Sequence, residues 1–150
     1  MLKSNIKNDL VITMMPNFFS KYELEIAEDK LKKIKKILQS YVNEDPNIKY
    51  ITIATQEGFP LVESGDDRYR NANLGTFVAI FFSMARNISN SLNIENKSFI
   101  SIDFGKQRFY IKGIEDKIAI GVIASRRSRT KVNKVISQIA EQVIPILEAD

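Results

Sequence analysis

Apolar positions along the chain recur with two periods, three-to-four and two, and the changes between them divide it into elements. Leu24, Ala27, Leu31, Ile34, Leu38 and Tyr41 have the three-and-four spacing of an amphipathic helix. Ser20 and Glu23 have the S-x-x-E spacing of a capping box, so the helix is expected to start there and end near Tyr41 or Val42, ahead of the turn-forming residues 43–47. Residues 50–55 and 60–64 read as two strands around a turn containing Gly58, a β-hairpin; the first is apolar or small on both faces, as a central strand covered from both sides should be. A polar loop, residues 65–71, then leads to a helix over residues 71–92. Leu74, Phe77, Val78, Phe81, Ala85, Ile88 and Leu92 form one stripe of that helix, expected to face the core. Ile80 and Met84 extend the stripe on one side and Phe82 on the other, so the apolar arc widens to roughly 200°, about twice what one sheet face needs. Flanking loops or a second copy of the protein must cover the surplus.

Residues 98–104, 107–112 and 117–124 read as three further strands with short connections at Gly105-Lys106 and residues 113–116. A closing helix over residues 130–147 carries the stripe Val132, Val135, Ile136, Ile139 and Val143, with Pro145 expected to kink or end it. Residues 1–21 have no clear period and hold an apolar cluster from Leu10 to Phe19, either a tail draped on the core or a partner-binding segment.

Composition narrows the chemistry. A chain of 150 residues, 44% hydrophobic and 27% charged, is expected to form one soluble domain, and a net charge of +4 does not by itself argue for nucleic acid. Cysteine and histidine are both absent, which removes disulfides, thiol nucleophiles, imidazole bases and the usual zinc ligands. No pair of the remaining titratable groups has a spacing that predicts convergence, so no catalytic residue, metal site or cofactor is assigned. Gly105-Lys106 is not a P-loop, because Ile100 stands where the first glycine belongs and Gln107 replaces Ser or Thr. Asp66 and Asp67 are expected to be solvated at a loop tip. No signal peptide is recognised and no run approaches the roughly 18 apolar residues of a membrane span, which favours the cytoplasm. The lysines of KLKKIKK, with Glu28 to Lys32 and Asp29 to Lys33 in favourable order, read as a solvated helix face in preference to a lipid or nucleic-acid patch. Arg126, Arg127 and Arg129 beside Lys131 cluster where a helix start would also direct free N–H groups, either an anion site or a solvated loop.

The order helix, hairpin, helix, three-stranded meander, helix resembles the roadblock domain. IKYITIATQEGFPLVESGDD is similar to that family's first hairpin and the acidic loop before its central helix, and the resemblance covers roughly residues 23–147. Tyr50, the many phenylalanines of the central helix and the extra residues 1–21 depart from the family pattern. The resemblance implies an α+β fold with a profilin-like architecture. Its five-stranded antiparallel sheet has the order 2-1-5-4-3, with the first and last helices on one face and the central helix on the other. Residues 22–150 would form this domain and residues 1–21 an N-terminal extension. Longin domains, the structural runner-up, open with strands and lack a helix before the first hairpin.

Roadblock proteins scaffold and regulate small Ras-like GTPases by presenting a dimer surface, without catalytic groups of their own. The resemblance therefore implies a non-catalytic homodimer, or a pair with a roadblock paralogue, joined through the central helix and third strand. Phe77, Ile80 and Met84 on one flank, or Gly75, Ala79 and Phe82 on the other, would meet the partner helix, the small residues slightly favouring the second flank. Phe99, Ser101 and Asp103 of the edge strand would complete the interface. The polar face of the central helix, Thr76, Ser83, Arg86, Asn87 and Asn90, is the candidate GTPase-docking surface. An anion-sensing module using the arginine cluster is the alternative from another class.

Overall fold

The structure, a computed structural model, describes residues 26–126 and 129–149. Its elements in chain order are α1 (Glu28–Glu44), β1 (Ile48–Thr55), β2 (Pro60–Gly65), α2 (Asp67–Asn71), α3 (Leu74–Leu92), β3 (Phe99–Asp103), β4 (Gln107–Glu115), β5 (Ile118–Ser125) and α4 (Arg129–Glu148). The five strands pair antiparallel in the order β2-β1-β5-β4-β3. This is the expected α+β sheet.

Alternation in the strands separates two hydrophobic layers. Ile51, Ile53, Ile120 and Val122 meet Ile34 and Leu38 of α1 and Ile136 and Ile139 of α4 on one face. Tyr50, Phe109, Ile111 and Ile123 meet Val78 and Phe82 of α3 on the other. Strands β1 and β5 are therefore buried on both sides, which explains why their sequences are largely apolar or small on both faces.

Several boundaries differ from the sequence expectation for local reasons. Helix α1 begins at Glu28 with Ala27 as an extended N-cap; the capping residues Ser20 and Glu23, with Leu24, lie outside the described residues. The loop expected before the central helix contains α2, because Asp66 accepts the Arg68 backbone N–H at 3.0 Å and caps one helical turn. Asn73 adopts a left-handed backbone (φ 61°), so α3 starts at Leu74 instead of residue 71. Strand β4 continues through Glu115, leaving only a tight turn before β5. Pro145 does not end α4, which runs on to Glu148. Pro145 and Glu141, whose carbonyl loses an N–H partner, are both exposed, so that carbonyl lies on the solvent side of the helix.

Candidate interaction surface

Helix α3 lies on its sheet through small residues. Gly75, Val78, Ala79, Phe82, Ala85 and Ser89 are buried. A side chain at Gly75 would come within 3.1 Å of Pro60, and the Phe82 ring covers Gly113 so closely that a Cβ there would meet it at 2.5 Å. The flank Gly75, Ala79 and Phe82, expected to receive a partner helix, is thus occupied by the chain's own β1–β2 hairpin and β4. Small residues here permit close approach to the sheet, not to a second molecule.

The buried face is rotated from the expected stripe accordingly. Val78 and Ala85 are buried and Leu74 and Phe81 half-buried, but Phe77, Ile88 and Leu92 face out. The exposed flank is apolar: Phe77 is 47% accessible, Ile80 47%, Met84 50% and Ile88 55%. It borders β3, since Phe81 packs into the same layer as Ile100 and Ile102. Among the described residues, strand β3 has a hydrogen-bonded neighbour, β4, on one side only, so its outer edge is open there and continuous with this stripe. Exposed Phe104 and Ile94 flank its two ends.

The strand residues expected at the interface divide by face. Ser101 pairs across from Tyr110, whose ring belongs to the α1/α4 layer, so Phe99, Ser101 and Asp103 point away from α3. Phe99 stacks on Tyr110 with centroids 5.8 Å apart, and Lys112 Nζ lies 5.9 Å from the Phe99 ring. Asp103 accepts the Gly105 backbone N–H at 2.7 Å, the main cause holding its carboxyl below the usual range, with Arg126 and Arg108 adding to it. Ile100 and Ile102 were missed by sequence reasoning, although the alternation in SFISIDF places them on the α3 side.

The other flank of α3 is polar. Ser83, Asn87 and Asn90 are exposed, and Thr76 is half-buried against Gly58 of the hairpin turn. Arg86 is tied down: Nη1 donates to Gln56 Oε1 at 2.7 Å, Nη2 donates to the Asp116 carbonyl, and the guanidinium lies 5.1 Å over the Phe82 ring. Nothing in the sequence marked Gln56 or Asp116 as its partners. Arg86→Ala should lower stability by about 1–2 kcal/mol and speed amide exchange at the residue 55–59 turn, with no change in self-association. Hydrogen exchange and sedimentation check the two halves of that expectation.

The arginine cluster is only partly described. Arg126 is exposed and its backbone N–H donates to the Lys106 carbonyl at 3.0 Å; Arg127 and the Arg129 side chain lie outside the described residues. Asp66 pairs with Arg68 at 2.9 Å and Asp67 with Arg70 at 3.3 Å, both at the surface. No group of three or more potential metal-ligating side chains occurs among the described residues. No described helix is long and apolar enough to cross a membrane.

Comparison with known families matches residues 34–124 to the Roadblock/LC7 domain model. Among solved structures, Myxococcus xanthus MglB superposes with a TM-score of 0.70 at 16% identity, covering 77% of this chain and 95% of that one. A Roadblock/LC7 domain from Streptomyces avermitilis gives 0.70 at 11% identity over 77% and 98% of the two chains. The gliding protein MglB from Thermus thermophilus gives 0.67 at 14% over 81% and 93%. At these identities the likeness is one of fold. No curated protein matches the sequence.

Proposed function

The chain belongs to the Roadblock/LC7 domain family, and from that premise we propose that it is a non-catalytic, homodimeric scaffold that binds and regulates a small Ras-like GTPase in the cytoplasm. The observation that carries the reading is the apolar flank of α3, Phe77, Ile80, Met84 and Ile88, lying exposed beside the edge of β3 that has no strand partner among the described residues. Apolar surface next to an open strand edge is a liability in a monomer and an asset in a pair. Antiparallel pairing of β3 with its copy relates the two by a two-fold axis normal to the sheet, which brings the two apolar flanks together on one face. Ile100 and Ile102 then extend the contact beneath the paired helices.

In this arrangement the polar flanks of the two α3 helices face outward on the same side as the helix pair. Ser83, Asn87 and Asn90 are the exposed residues there that a GTPase would meet. Asn90→Arg should weaken GTPase binding at least about tenfold while leaving the dimer mass unchanged, because a bulky charge is added to the polar flank on the side of α3 turned away from Ile80 and Met84. Titration of the wild type and the variant against nucleotide-loaded Ras-like GTPases, with sedimentation in parallel, tests this. Equal binding by both proteins would remove this flank from the docking surface.

A further inference from the structure

The face opposite α3 carries the strongest local charge among the described residues. Five lysines fall within seven positions of α1, Lys30 to Lys36, and Lys32, Lys33, Lys35 and Lys36 are exposed. Lys32 has a loose partner in Glu28 at 3.9 Å. The side chains of Lys33, Lys35 and Lys36 form no ion pair or hydrogen bond among the described residues. We propose that this outer face of α1 is an electrostatic docking surface for an anionic phospholipid membrane.

The chemistry of the patch selects that occupant. A shaped protein partner needs aromatic or arginine anchors in a packed centre, and lysine is depleted from such centres. Single-stranded nucleic acid needs aromatic faces for stacking, and the exposed surface of α1 offers neither an aromatic ring nor an arginine. Tyr41, its one aromatic residue, packs against the core and accepts a hydrogen bond from Gln142. What remains is a convex row of hydrated point charges, suited to a flat field of phosphates that imposes no fixed geometry.

The orientation of the patch, unlike its binding, rests on the proposed dimer. A two-fold axis normal to the sheet puts both α1 helices on one side, toward lipid, and both α3 helices on the other, toward a GTPase. The lysine patch itself belongs to each protomer.

The test is flotation of the full chain with vesicles of phosphatidylcholine alone or containing phosphatidylserine. Binding is expected only with phosphatidylserine, and should be lost at about 1 M salt, where the screening length falls to roughly 3 Å. A lysine near an anionic leaflet contributes about fivefold, so the triple variant Lys33→Gln, Lys35→Gln, Lys36→Gln should bind on the order of a hundredfold more weakly. Glutamine keeps the helix propensity, so its circular dichroism should match the wild type. The control triple Lys97→Gln, Lys106→Gln, Lys117→Gln removes the same charge elsewhere and should retain most of the binding. Equal loss in both triples, no binding to phosphatidylserine by a folded protein, or displacement from vesicles by an equimolar oligonucleotide would each overturn the proposal. Sedimentation of the same samples separates this from failure of the dimer, since a monomer with an intact patch still floats.

Discussion

Met84→Glu should shift the protein from dimer to monomer across the micromolar range. Met84 is half exposed, so in the separate chain the glutamate carboxylate simply sits in water and the fold loses little. In the proposed pair the same carboxylate enters an apolar contact, at a cost of at least about 2 kcal/mol per copy. Two-fold symmetry imposes that cost twice, so the dissociation constant should rise by roughly a thousandfold. Ile80→Glu should act in the same way. Phe82→Glu should not: Phe82 is 7% accessible and lies over Gly113, so a charge there disrupts the chain's own core and yields unfolded protein. Sedimentation velocity with circular dichroism distinguishes these outcomes. Wild-type mass in folded Met84→Glu and Ile80→Glu proteins would leave the apolar flank without its proposed role.

Gly65→Ala should be the most destabilising small substitution in the chain. Gly65 ends β2 at φ 132°, a backbone that L side chains rarely adopt. A Cβ there would lie 2.4 Å from the Lys49 carbonyl oxygen and 2.7 Å from Tyr50 Cα. Both atoms are backbone, and Lys49 O also accepts the Asp66 N–H at 3.2 Å, so relief requires breaking the Tyr50↔Gly65 register of the first hairpin. The expected loss is about 3 kcal/mol or more, which for a domain of this size lowers Tm by roughly 6–12 °C. Gly105→Ala provides the control. Gly105 has φ 89° but nothing within 4 Å of the place its methyl carbon would take, so only the backbone strain remains, about 1–2 kcal/mol. Thermal melts of both variants separate steric collision from strain; equal shifts would refute the steric account.

The strands were legible because a sheet buried on both faces leaves a nearly continuous record of apolar and small residues; their order came from the resemblance to the roadblock domain. YITIAT and IAIGVIA have no solvent-facing side to interrupt them, and they occupy two of the three inner positions of the sheet. The surplus of apolar surface on the central helix was also legible, as a width. Its direction was not. A helical wheel weighted by bulk points Phe77, Ile88 and Leu92 inward, whereas the sheet accepts the helix through Gly75, Ala79 and Ala85, where two surfaces can come closest. Hydropathy measures how much a side chain gains by leaving water and says nothing of how near two backbones must pass. The same gap hid Arg86's partners. Gln56 and Asp116 come from two separate turns, 30 residues to either side, and only the folded sheet brings them to one guanidinium. Helix α2 was missed because five residues are too few to show a period.

The two margins of the sheet are not alike. On β2, Val62 and Ser64 are buried beneath neighbouring helices and the strand opens with Pro60, which has no N–H to offer; on β3 no residue is fully buried. If β3 is the margin through which copies pair, a molecule that has joined one copy of itself has no second β3 edge with which to extend by the same bond. In the proposed pair, growth by strand addition through β3 would therefore stop at two copies, and a concentration series that climbed through this edge into longer polymers would contradict that arrangement.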